Sequence, residues 1–159
     1  MLNLGQSNKD TLAKLMATEN ITVIHKKVPT AYFDVKSRIL CIPMLKENMS
    51  QSLNDLFAGH EVGHALYTPV DGWHDSICEK GGLFKGYLNV IEDCRIEEKV
   101  KNKYPGLRRS FYKGYEELAT DDFFGIQGKD LSKLNLIDKI NIHFKIGAQA
   151  RVQFSNEEL

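Results

Sequence analysis

The sequence predicts an α+β domain in which a small antiparallel sheet near the N-terminus packs on two long helices that follow it. Three observations predict it. Two stretches rich in β-formers and bounded by prolines, Ile21–Val28 and Tyr32–Ile42, come before any long helical pattern. The run Leu53–Tyr67 carries apolar residues at helical spacing, and Phe84–Lys103 reads as a second long helix. A length of 159 residues suits one domain with a proper core. Residues 1–148 are expected to form that domain. Residues 149–159 read as a polar tail, with a boundary to an absent C-terminal domain expected there.

Composition excludes some partners. Lys plus Arg number 21 and Asp plus Glu number 21, so no net field recruits nucleic acid or a membrane surface. The longest apolar runs fall short of a membrane span, and the N-terminus lacks a basic-then-apolar leader. Cys41, Cys78 and Cys94 lack metal-site spacing and read as reduced thiols of a cytoplasmic protein.

In chain order, Ser7–Thr18 reads as a short amphipathic helix with Leu12, Leu15 and Met16 inward. Ile21–Val28 is a strand ended by Pro29, with His25 as an ordinary strand histidine. Tyr32–Val35 and Arg38–Ile42 form a hairpin around Lys36-Ser37, closed by Pro43. Ser50 or Ser52 caps the helix Leu53–Tyr67, with Asp55 in a capping-box-like place. Thr68-Pro69 stops that helix. Gly59 and Gly63 each cost about 1 kcal/mol inside it, which predicts close backbone packing beside them. Val70–Gly82, with Trp73 and His74, reads as a loop; Phe84–Lys103 is stopped by Tyr104-Pro105-Gly106. Asp121–Lys129 is a loop and Leu131–Ile146 a third helix.

The stretch that carries chemistry is His60-Glu61-Val62-Gly63-His64. On a helix, residues four apart share a face, so His60 and His64 can grip one metal ion. Glu61 projects about 100° from His60, where it can reach a metal-bound water without being a ligand. A third ligand must come from elsewhere. In Asn89–Glu97, with Leu88 at zero, Asp93 and Glu97 fall at about 140° and 180°, between apolar groups, whereas Glu92 falls near 40° beside Arg95 and Lys99. Asn89, Asp93 and Glu97 thus form a polar stripe on an otherwise buried face. A buried carboxylate needs a partner. Asp93 is the favoured third ligand, Glu92 the alternative, and Glu97 is placed to accept the second ring N–H of a ligating histidine. Without the histidine motif the stripe would read as a salt-bridged acidic surface, paired with Arg95 or Arg108. His74 does not fit a metzincin continuation, which would put histidine where Val70 stands.

The motif and its acidic helix resemble the gluzincin branch of the zincin metallopeptidases, and Glu92-Asp93-Cys94-Arg95-Ile96-Glu97 is similar to the Glu-Glu-Cys-Arg-Ala-Glu motif of the dipeptidyl peptidase III family. The resemblance implies a zincin-like fold with zinc on His60, His64 and Asp93. Aspartate in place of glutamate shortens the reach, so the ligand helix must lie closer or Glu92 must substitute. His60–Pro69, Asn89–Glu97 and Leu136–Lys145 also look like phage and bacterial proteins related to the cobalt chelatase T subunit, which commonly carry a von Willebrand factor A domain.

These features imply a zinc-dependent metallopeptidase with Glu61 as general base, acting on a peptide or protein in a cytoplasm (the host's, for a phage protein). An edge strand such as Arg38–Ile42 could align an extended substrate. Tyr67, His74, Tyr112, Tyr115 and His143 are candidate oxyanion stabilisers, none of them singled out. The alternative is a non-proteolytic zinc-binding adaptor for a von Willebrand factor A domain or an AAA+ ATPase. Retention of Glu61 favours the enzyme, because a structural site needs no base.

Overall fold

The computed structural model describes residues 21–28, 31–34, 36–43, 49–69, 71 and 73–159, without the side chains of 73–80, 83 and 148. The helix expected over Ser7–Thr18 lies outside those residues, as do the side chains of Trp73, His74 and Cys78. Among the described residues the architecture is α+β, with three strands followed by four α-helices.

Strands β1 (Thr22–Lys26), β2 (Tyr32–Asp34) and β3 (Ile39–Pro43) form one sheet in the order β1-β3-β2. The hairpin lies where expected: β2 and β3 are antiparallel, with Phe33 opposite Leu40. Asp34 holds its turn by accepting from the backbone N–H groups of Lys36 and Ser37 at 2.9 and 3.2 Å. The sheet is nevertheless mixed rather than antiparallel, because β1 runs parallel to β3 with Ile24 opposite Cys41. Sequence alternation says which side chains are buried; it does not say which way a distant partner runs. Nor is Arg38–Ile42 an edge. It supplies the central strand, which explains its apolar run: Leu40, Cys41 and Ile42 are buried on both sides of the pleat. Among the described residues the edges are β1 and β2.

Helix α1 (Gln51–Tyr67) is the middle of the molecule, packing on β2 and β3, on α2 (Trp73–Lys103) and on α3 (Leu107–Thr120). Ser50 is its cap, the Oγ accepting from the Leu53 N–H at 3.0 Å. Asp55 takes no part in a capping box and binds Gln51 and Ser110 instead. The packing expected beside the glycines is present. A Cβ on Gly59 would stand 2.8 Å from the Phe111 ring, and one on Gly63 would stand 2.8 Å from Ile96 Cδ1. Bare backbone lets α2 and α3 approach the face of α1 next to the histidines. Val62, Ile96 and Val100 fill that contact and are fully buried, each contributing about 1.5–3 kcal/mol of transfer free energy.

Three further expectations change. The segment Val70–Gly82 is not a loop throughout, since helix begins at Trp73 and is broken at Gly81, whose φ of 81° suits glycine alone. Helix α3 was not anticipated, although Leu107, Phe111, Tyr115 and Leu118 stand at helical spacing. The third expected helix is divided into a short 3₁₀ turn, Leu131–Lys133, and α4, Leu136–Ile146. Residues 150–159 fold back on α4: buried Lys139 pairs with Glu158 at 2.8 Å, and Phe154 meets the His143 ring edge-on.

Candidate metal centre

The centre lies between α1, α2 and α4. α1 supplies His60, Glu61 and His64 on adjoining faces, one turn separating the two rings, whose centroids are 4.9 Å apart. α2 supplies Asp93. Among the described residues, His60, His64 and Asp93 are the group of three whose ligand-type atoms all lie within 4.8 Å of one another. Asp93 Oδ1 stands 3.6 Å from His60 Nε2 and 3.4 Å from His64 Nε2.

Hydrogen bonding fixes what those atoms are. His60 Nδ1 lies 2.9 Å from Glu97 Oε1, an acceptor, so the Nδ1 carries the proton. Thr68 Oγ1 donates its one proton to Glu92 Oε1 at 2.7 Å, and so it must accept from His64 Nδ1, 2.9 Å away. Both Nε2 atoms therefore present lone pairs, and both face the same carboxylate oxygen. Three lone pairs turned towards one another suit a cation between them. For bonds of about 2.0–2.1 Å, tetrahedral ligand atoms stand roughly 3.3–3.4 Å apart, close to the two separations seen here. The donor set fits a small divalent ion, with two imidazoles and one carboxylate. Burial disfavours charge on His60, but the Glu97 hydrogen bond and the charges of Glu61, Glu97 and Asp93 outweigh it and raise its pKa.

The surroundings hold these ligands still. Glu97 has no exposed surface. It accepts from His60 and, through a short hydrogen bond, from the Tyr115 hydroxyl of α3, with Lys101 3.6 Å from Oε2. Burial pushes its carboxyl up, but the His60 hydrogen bond and charge outweigh that and hold it low. Lys145 of α4 lies 3.0 Å from Asp93 Oδ2, which leaves Oδ1 as the oxygen facing the rings. Burial likewise raises Asp93 and is overcome by His64, His60 and Lys145, leaving it far below the usual carboxylate range.

Glu61 is 7% exposed and lines the same cleft as the three ligand candidates without belonging to them. Burial pushes its pKa up, and the neighbouring imidazoles pull against that. The cleft has a volume of about 580 Å³ and is lined both by His60, Glu61, His64 and Asp93 and by aromatic side chains.

Glu92 turns away from the centre. Arg95 grips both of its oxygens at 2.7 Å, and Thr68 takes Oε1. It is the end of a relay from His64 through Thr68, and Arg95 also donates to the Tyr67 carbonyl at 2.6 Å, tying α2 to the end of α1. Asn89 departs from the expected buried stripe: it is exposed and forms part of the cleft wall. The wheel puts it on the face that carries Asp93 and Glu97, but its side chain is not covered there. Of the candidate oxyanion stabilisers, Tyr115 is committed to Glu97, Tyr112 is exposed and bonded to Gln149, and His143 is exposed against Phe154. Two residues of the centre carry no sequence signal for their roles: Thr68 reads as a helix stop, and Lys145 is more than fifty positions from its partner (3.0 Å from Asp93). Tyr115, a candidate oxyanion stabiliser by sequence, binds Glu97 instead.

No family model matches the chain, and no curated protein or solved structure does either.

Proposed function

We propose that the protein is a zinc-dependent peptidase. The observation that carries this reading is the convergence of two bare imidazole nitrogens and one carboxylate oxygen beside a buried glutamate that is not part of the set. Two imidazoles and a carboxylate would also suit iron(II). Glu61 favours hydrolysis, because a buried base beside the metal position serves to move a proton from water.

Zinc held by His60, His64 and Asp93 would polarise a carbonyl and bring the pKa of a bound water towards about 7. Glu61 would accept a proton from the attacking water and return it to the departing amine, a role worth about 10²–10⁴-fold. Its raised pKa suits both halves of the task. Glu97 and the Thr68–Glu92 relay keep the two rings in the tautomer that leaves Nε2 free. Strand β2, whose Tyr32 and Phe33 line the cleft, is the edge along which an extended peptide would lie.

Glu61→Gln tests the reading: turnover on a quenched peptide library should fall by roughly 10²–10⁴-fold while metal content stays unchanged. Metal-loaded wild-type protein that cleaves nothing would instead leave the adaptor role, in which the zinc fold serves a von Willebrand factor A or AAA+ partner.

A further inference from the structure

The cleft does not end at the metal position. Its lining also includes Phe57 of α1, Leu118 of α3, and Phe123 and Phe124 of the loop that follows α3. Phe123, which lines the cleft, is 58% exposed and so is open to a ligand there. Its ring meets Phe124 edge-on with centroids 5.5 Å apart, and Phe124 in turn contacts Tyr115, the residue that binds Glu97. One contiguous row of rings thus runs from the network behind His60 to the rim.

The loop that presents these rings is fixed. Asp122, at φ 51°, accepts from the N–H groups of Ile126 and Gln127 at 2.8 and 2.9 Å, and the Phe123 N–H donates to the Leu118 carbonyl at 2.9 Å. A wall held in place before a ligand arrives loses little entropy on binding. We infer that this aromatic bay is a specificity pocket, and that the substrate is a peptide carrying a bulky apolar side chain beside the scissile bond. The inference rests on the peptidase reading. The cleft volume of about 580 Å³ suits a segment of a few residues rather than a folded surface.

The test uses the full-length, zinc-loaded protein and fluorogenic peptides differing at one position: Phe, Leu, Ala, Ser or Asp. Phe and Leu peptides should exceed Ser and Asp peptides by about tenfold or more in kcat/KM. In Phe123→Ala, the ratio of Phe to Ala peptide should fall by roughly fivefold or more, with metal content unchanged. Equal turnover of all peptides, or a ratio that Phe123→Ala does not move, overturns the pocket and leaves the peptidase standing. If no peptide is cleaved, zinc-loaded Glu61→Gln is titrated with the same labelled peptides. Selective binding of the Phe peptide then supports the bay and removes the peptidase, and indifferent binding overturns both.

Discussion

His60 Nδ1 and Glu97 Oε1 are 2.9 Å apart, and that contact joins the two helices that make the centre. It sets the ring's tautomer and turns Nε2 towards Asp93. Glu97→Gln retains the shape but loses the charge, so zinc affinity should fall by roughly 10–100-fold in a competition titration with a chromophoric chelator. Unchanged affinity would show that Glu97 is only a buried acid satisfied by Tyr115 and Lys101.

Asp93 and Glu92 are adjacent in sequence and opposite in role. Asp93→Ala should abolish stoichiometric zinc binding, measured by elemental analysis after dialysis. Glu92→Ala should retain zinc with weakened affinity, because it removes only the end of the His64–Thr68 relay. Equal losses, or a larger loss in Glu92→Ala, would reverse the ligand assignment.

His60 gives a pH dependence whose sign depends on metal. Although burial lowers its pKa, Glu97, Glu61 and Asp93 leave it above the ordinary 6.5. In the metal-free protein the proton therefore contributes stability that is complete below about pH 6.5 and is lost as pH rises through the folded value. Asp93 and Glu97 are lowered, so their contributions are lost only in acid and do not act in this window. Metal requires the deprotonated ring, so metal-linked stability rises with pH instead. Between about pH 6 and pH 9, the Tm of the metal-free protein should fall while the gain on adding zinc grows. A gain independent of pH would exclude His60 as a ligand.

Gly63→Ala tests how closely α1 and α2 must approach. The added Cβ meets Ile96 at 2.8 Å and Val100 at 3.0 Å, both fully buried. Overpacking of about 1–3 kcal/mol is partly offset by about 1 kcal/mol of helix propensity. A net loss of up to about 2 kcal/mol, read by urea denaturation, should accompany weaker zinc binding as Asp93 is pushed away from the rings. A stabilised variant would mean that Ile96 yields without moving the helix.

Much of this was legible in local sequence because helices are local structures. Ser50, the Leu53–Leu56 stripe, the spacing of His60 and His64, and the wheel position of Asp93 all follow from 3.6 residues per turn. Gly59 and Gly63 signalled close packing because their cost inside a helix needed a reason. What escaped was non-local. Nothing in Thr22–Lys26 states that it will lie parallel to Ile39–Pro43, and no spacing rule connects Lys145 to Asp93 or Thr68 to Glu92. Asn89 was misjudged because a wheel gives direction around a helix but not where along it the neighbour ends. The helix Leu107–Thr120 is legible in Leu107, Phe111, Tyr115 and Leu118, its inward face, although Tyr104-Pro105-Gly106 just before it reads as a stop. Gly114 lies where a Cβ would meet Leu56 at 2.9 Å, a packing glycine like the other two.

The most direct measurement is a crystal structure of the zinc-soaked protein with anomalous data collected at the zinc edge. One peak should lie between His60 Nε2, His64 Nε2 and Asp93 Oδ1, with solvent in the fourth position, Glu61 beside that solvent, and Glu92 still held by Arg95. A peak elsewhere, or a fourth protein ligand closing the site, would contradict a hydrolytic centre.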